Sequence, residues 1–207
     1  MKFRSTILAA TAMLAVSSPA FADAKTEAFV TQNANEVLKA LNDPSLDADG
    51  RTALFSQYME KFTDLDAVAR FVIGKYARRF TPEELKRYQD AFRTYGLAIY
   101  ENQLDDYRGN DVVVTGSVDR TANDSVVDTK IERSDGREMD VRWRVLKRNG
   151  EYQVVDVALE MDGNLIWLAI EQQAQFLSLL DRTNGSADAL IAKIEAMTAK
   201  QESERRS

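Results

Sequence analysis

Neither cysteine nor histidine occurs in the 207 residues, which hold only three prolines and nine glycines. Without cysteine no disulfide can form, so stability has to come from packing. Without histidine the Ser/His and Cys/His nucleophilic arrangements are excluded, as are histidine-bearing zinc sites. No glycine-rich phosphate loop, EF-hand loop or cysteine-pair metal motif is present. The scarcity of proline and glycine leaves no flexible linker, and there is neither an internal repeat nor a low-complexity segment.

What is present begins with an export pattern. Lys2 and Arg4 form a positive start, Ile7 to Val16 an apolar stretch, and Ala20-Phe21-Ala22 a small-residue cleavage site. This reads as a secretory signal peptide over residues 1–22. A membrane span needs about 20 apolar residues, and no later stretch approaches that. Removing Lys2 and Arg4 takes the formal net charge from −6 to −8, which makes nucleic acid an unfavourable partner.

The mature part, from about Asp23, opens with helical spacing. Val30, Ala34, Val37, Leu38 and Leu41 mark one amphipathic helix, and Leu54, Phe55, Tyr58, Met59 and Phe62 a second. Thr63 or Asp64 can cap a third, short helix carrying Leu65, Val68, Phe71 and Val72. Thr81-Pro82-Glu83-Glu84 combines an N-cap threonine, a proline at the first helical position and a capping-box glutamate, so a long helix starts there. Its stripe of Leu85, Tyr88, Phe92, Tyr95 and Ile99 continues through Leu104 and Tyr107 towards Gly109.

Four strands follow, at 111–118, 125–132, 138–146 and 151–159, most simply as an antiparallel meander. Asn149-Gly150 signals a two-residue hairpin that pairs Arg148 with Glu151, Val145 with Val154 and Trp143 with Asp156. A two-residue turn at Asp135-Gly136 would mix polar and apolar faces. A three-residue loop, 134–136, instead pairs Ile131 with Met139 and Val127 with Trp143, and sets Lys130 against Asp140 and Asp128 against Arg142. From about Asn164 an apolar helix is expected, carrying Leu165, Leu168 and Phe176 and ending at Thr183-Asn184-Gly185. A last short helix starts near Ser186, and residues 201–207 read as a disordered tail.

Asp156 is the one carboxylate that this pattern places on an apolar face, which makes it the candidate for acid/base chemistry. The plainer reading pairs it with Trp143 or a nearby arginine. Asp105 and Asp106, adjacent on a helix, point about 100° apart and do not converge. Arg78-Arg79 and Arg142/Arg144 are basic clusters able to meet a phosphate head group or to snorkel at a surface.

The order of Gly74-Lys75-Tyr76, Thr81-Pro82-Glu83, Phe92-Arg93-Thr94-Tyr95, Tyr100-Glu101-Asn102-Gln103-Leu104, Val141-Arg142-Trp143-Arg144, Gly150 to Val157 and Leu179 to Gly185 resembles the MlaC family of periplasmic phospholipid-binding proteins, also called the toluene-tolerance auxiliary family. The resemblance runs over about residues 25–198. It implies an α+β fold, with the four-stranded antiparallel sheet covered by helices as in nuclear transport factor 2, and a small helical subdomain. On that division 23–200 is one phospholipid-binding domain, with a helical part at about 23–80 and a sheet-plus-helix part at about 81–200.

The function implied is a non-enzymatic phospholipid carrier in the periplasm. Its partners are an inner-membrane ABC transporter complex and an outer-membrane lipoprotein-porin complex, and its work maintains outer-membrane lipid asymmetry. No cofactor is implied beyond the phospholipid cargo. Tyr95, Ile99, Val141, Trp143, Val145, Val154, Leu165, Leu168 and Phe176, apolar and on expected inward faces, are the candidate pocket walls. Where relatives carry a Gly-Val-Ser-like turn, this chain has Met161-Asp162-Gly163-Asn164. Hiding a chain of about 15 carbons is worth roughly 12 kcal/mol at about 0.8 kcal/mol per methylene, which a closed pocket provides and a surface patch does not. A periplasmic chaperone for apolar segments and a small hydrolase or isomerase using Asp156 are the alternative functions.

Overall fold

The computed structural model describes residues 24–101, 111–133, 135–161 and 163–205. The expected signal peptide, the stripe beyond Glu101 and the Asp105-Asp106 pair lie outside the described residues.

The amphipathic spacings become α1 (Ala24–Leu41), α2 (Ala48–Phe62) and α3 (Leu65–Val72). Asp64 rather than Thr63 caps α3, its Oδ1 accepting the Ala67 amide at 2.9 Å. A 3-10 turn (Gly74–Arg78) leads to α4 (Pro82–Glu101). The capping box forms as its residues require: the Thr81 amide donates to Glu84 Oε2 at 2.8 Å, and the Glu84 amide to Thr81 Oγ1 at 3.2 Å.

The sheet runs β1 (Val112–Thr121), β2 (Asp124–Glu132), β3 (Glu138–Arg148), β4 (Glu151–Met161) and β5 (Asn164–Trp167), antiparallel in sequence order. Five strands replace the expected four. The helix expected from Asn164 begins only at Leu168, as α5 (Leu168–Arg182). The four residues before it turn back at Gly163 (φ +79°) and pair with the end of β4, Met161 opposite Asn164. The apolar run predicts one helix, but its first part satisfies its backbone on a sheet edge. The last helix, α6 (Ala187–Arg205), runs through most of the segment expected to be a disordered tail.

Between β2 and β3 the register is the one that face parity demands: Ile131 opposite Met139, Val127 opposite Trp143, Lys130 opposite Asp140 and Asp128 opposite Arg142. Gly136 takes the required left-handed conformation at φ +78°. Between β3 and β4 the Asn149-Gly150 turn sets Arg148 against Glu151 and Val145 against Val154, as expected. The register then slips by one residue between Arg144 and Val145. Asp156 therefore lies opposite Arg144, and Val157, not Asp156, lies opposite Trp143. An unpaired Val155 on the bulged strand reverses the parity of everything after it.

Ala34 and Leu38 of α1 pack with Val112, Ile131, Met139 and Val141 of the sheet, and Leu41 packs with Phe55 of α2. The solid helical core is built from α3, the 3-10 turn, α4, α5 and α6 around Tyr88, Phe176, Leu180, Leu190 and Ile194. The Tyr88 hydroxyl donates to the Ala69 carbonyl at 2.8 Å. Tyr76, whose hydroxyl reaches Asp181 Oδ1 at 2.6 Å, and the close approach of Gly185 lock the far corner.

Candidate functional site

Helices α1 and α2 lie over one face of the sheet without filling the space beneath them. The result is a partly enclosed cavity of about 140 Å³. Its floor is Val112, Ile131, Met139, Val141, Trp143, Val154, Val157 and Leu159; its roof includes Val30, Ala34, Val37, Leu38, Phe55, Met59 and Phe62. Among the described residues no charged side chain lines it. An apolar cavity near 150 Å³ stays dry and admits a benzene-sized guest. The Trp143 indole is held against the floor by its Nε1, which donates to Thr129 Oγ1 at 2.8 Å, while that hydroxyl donates to the Val141 carbonyl at 3.1 Å.

A second, larger cavity of about 760 Å³ opens between α3, α4, β4 and the start of α5. Leu65, Val68, Phe92, Tyr95, Ile99 and Leu168 make its apolar side, and Asp156, Glu171, Gln172 and Gln175 its polar side. Met59, Thr63, Val154 and Val157 line both cavities, so the two lie on either side of these residues. The partition is anchored at a parallel bridge between Thr63 and Val154, and Arg148 Nη1 reaches Asp64 Oδ2 at 3.3 Å nearby.

Of the nine residues expected to line a pocket, Val141, Trp143 and Val154 line the first cavity and Tyr95, Ile99, Val154 and Leu168 the second. Val145 is buried in the sheet core and Phe176 in the helical core. Leu165, on the edge strand β5, is 39% exposed and lines neither cavity. The roof residues of α1 and α2 were not among the nine. Their signal was legible as two apolar stripes at helical spacing, but a stripe does not say whether it meets a solid core or a space.

Asp156 is almost fully buried, but not beside Trp143. Its Oδ1 accepts the Val157 amide and the Ala169 amide, each at 2.9 Å. Burial pushes its carboxyl above the ordinary value, against these two amides and the Arg144 charge, which pull it down. Arg144 is engaged by Asp124 through two bonds of 3.1 and 3.0 Å, and Arg142 pairs with Asp128. Both arginines of the Arg142/Arg144 cluster are thus tied to carboxylates on the sheet, and neither lines a cavity. Among the described residues no group of three acidic side chains could hold a metal ion, and no helix is long and apolar enough to cross a membrane.

The fold and its hollows define an α+β protein that encloses space for an apolar ligand. The model of the MlaC protein family matches residues 31–196, and the chain belongs to that family. Toluene tolerance protein ttg2D of Pseudomonas putida is 24% identical over 129 residues, which is 62% of this chain and 58% of that protein's length. A solved structure of a phospholipid-binding protein from Ralstonia solanacearum, in complex with a phospholipid, has the same fold. It superposes with a TM-score of 0.71 over 84% of this chain and 97% of that one, at 22% identity.

Proposed function

We propose that this protein is a non-enzymatic carrier that holds the acyl chains of a phospholipid in the paired cavities and moves the lipid through the periplasm. The observation that carries the reading is the cavity under α1 and α2, lined by no charged side chain among the described residues and sharing Met59, Thr63, Val154 and Val157 with a 760 Å³ neighbour. An apolar space of this kind gives hydrocarbon about 0.8 kcal/mol per methylene and gives a reaction nothing to work with. Family membership and the phospholipid held by the Ralstonia solanacearum protein support the same reading.

Because release into water forfeits that burial, delivery requires docking to sites that offer the chains another apolar environment. An inner-membrane ABC transporter complex and an outer-membrane lipoprotein-porin complex are the proposed partners. The hydrolase or isomerase alternative loses support from Asp156, one of whose oxygens is occupied by two structural amides. The test is lipid mass spectrometry on protein purified from its own compartment under native conditions. Stoichiometric phospholipid is expected, and its absence would remove the proposal.

A further inference from the structure

Helix α5 carries three glutamines close together, Gln172, Gln173 and Gln175, and two of them are engaged within the protein. Gln173 Nε2 donates to the Phe71 carbonyl at 2.6 Å, and Gln175 Nε2 donates to Glu171 Oε1 at 3.1 Å. Gln172 differs. Its amide nitrogen is buried with no hydrogen-bond partner among the described residues, and the residue lines the larger cavity. A side-chain amide nitrogen carries two donors, and buried donors are normally satisfied. One left open on a cavity wall calls for an acceptor on whatever occupies the space.

The place of Gln172 in the lining narrows the acceptor. Glu171 and Gln175, beside it on α5, are exposed, while Val68, Phe92, Ile99 and Leu168 form the apolar side. Gln172 stands between the two. A phospholipid with its chains in the apolar part and its phosphate in water has, at that boundary, the acyl esters that join chain to glycerol. An ester carbonyl accepts hydrogen bonds and has no proton of its own, so leaving water is costly for it unless the protein donates. We infer that Gln172 Nε2 donates to an acyl ester carbonyl of the bound phospholipid, and that the protein thereby distinguishes ester-linked from ether-linked lipids. This rests on the phospholipid reading above and adds to it the linkage between chain and glycerol.

Lipid-stripped full-length mature protein, incubated with vesicles of equal dioleoyl phosphatidylglycerol and its di-O-oleyl ether analogue, tests the inference, with the bound lipids read by mass spectrometry. The two lipids share head group and chains, so a preference reports the linkage alone. The ester lipid should be taken up about fivefold more, the scale of one net hydrogen bond. Gln172→Met, similar in size and without the donor, should bring that ratio close to one. Because it removes a donor that has no partner in the lipid-free protein, it should leave the Tm of that form unchanged or raised. A Tm lowered by several degrees would give the amide a structural partner and overturn the inference. Equal uptake of the two lipids by the wild type, or a ratio that Gln172→Met does not move, overturns it as well and leaves the carrier standing. Uptake of neither lipid overturns both.

Discussion

The carboxylate of Asp156, on β4, accepts the backbone amide of Ala169 at 2.9 Å and so caps a helix thirteen residues further along the chain. The residue at the N-cap position of α5, Trp167, has no side chain able to do this. A helix start needs acceptors for its free amides, and α5 draws one from the neighbouring strand. Asp156→Ala should therefore leave a buried amide unsatisfied at a cost of about 1–3 kcal/mol, while Asp156→Asn, which keeps the acceptor, should lose much less. Urea unfolding of the two variants measures the difference; equal losses would show that the cap contributes nothing.

Burial raises the Asp156 carboxyl above 3.8 and outweighs the amides and Arg144 that lower it. The folded protein then binds this proton more tightly than the unfolded chain. The stability it contributes is fully present below the unfolded value and is lost as pH rises through the folded one. Asn does not titrate, so the stability of wild type minus that of Asp156→Asn should fall as pH rises above the ordinary aspartate value of 3.8. A difference that grows as pH rises would contradict the assignment.

Ala34, on α1, sits in the roof of the smaller cavity. Ala34→Leu places side-chain atoms in that space and should stabilise the lipid-free protein by about 0.5–2 kcal/mol. The same variant should take up less phospholipid, because the leucine competes with the acyl chain for the volume. Higher stability with undiminished loading would place the acyl chain elsewhere.

The protein has two tryptophans, and only Trp143 lines a cavity. In a Trp167→Phe background, loading with phospholipid carrying brominated acyl chains should quench the Trp143 emission. Brominated head groups should leave it largely unchanged. Quenching by both alike would mean that the chains do not enter beneath α1 and α2.

Gly185 has φ +77°, and a Cβ there would stand 2.7 Å from Tyr76 Cε1. Gly185→Ala combines left-handed strain with a clash against a buried ring and should cost about 2 kcal/mol, lowering Tm by ~4–8 °C. The corner lies away from both cavities, so the lipid species found by mass spectrometry should not change.

Where local chemistry decides, the residues could be read directly. The Thr81–Glu84 box, the Asn149-Gly150 turn and the three-residue loop closed by Gly136 each follow from groups a few positions apart. Face parity carried the β2–β3 register across a whole strand pair. The same logic failed between β3 and β4 at Val155, where one valine among valines bears no mark of a bulge. That single slip moved Asp156 from the tryptophan to the helix.

The sequence by itself determined that the chain lacks disulfide and histidine chemistry, that apolar stripes alternate with polar faces, and where most helices and strands begin. Those are matters of composition and of spacing at 3.6 and 2 residues. Only the tertiary structure decided that α1 and α2 stand off the sheet, that Asn164–Trp167 adds a fifth strand, and that Tyr95, Asp156 and Gln172 surround one space. Periodicity tells which side of an element avoids water, but a hollow depends on how far apart two such sides come to rest, and that distance is set by contacts between residues remote in the chain.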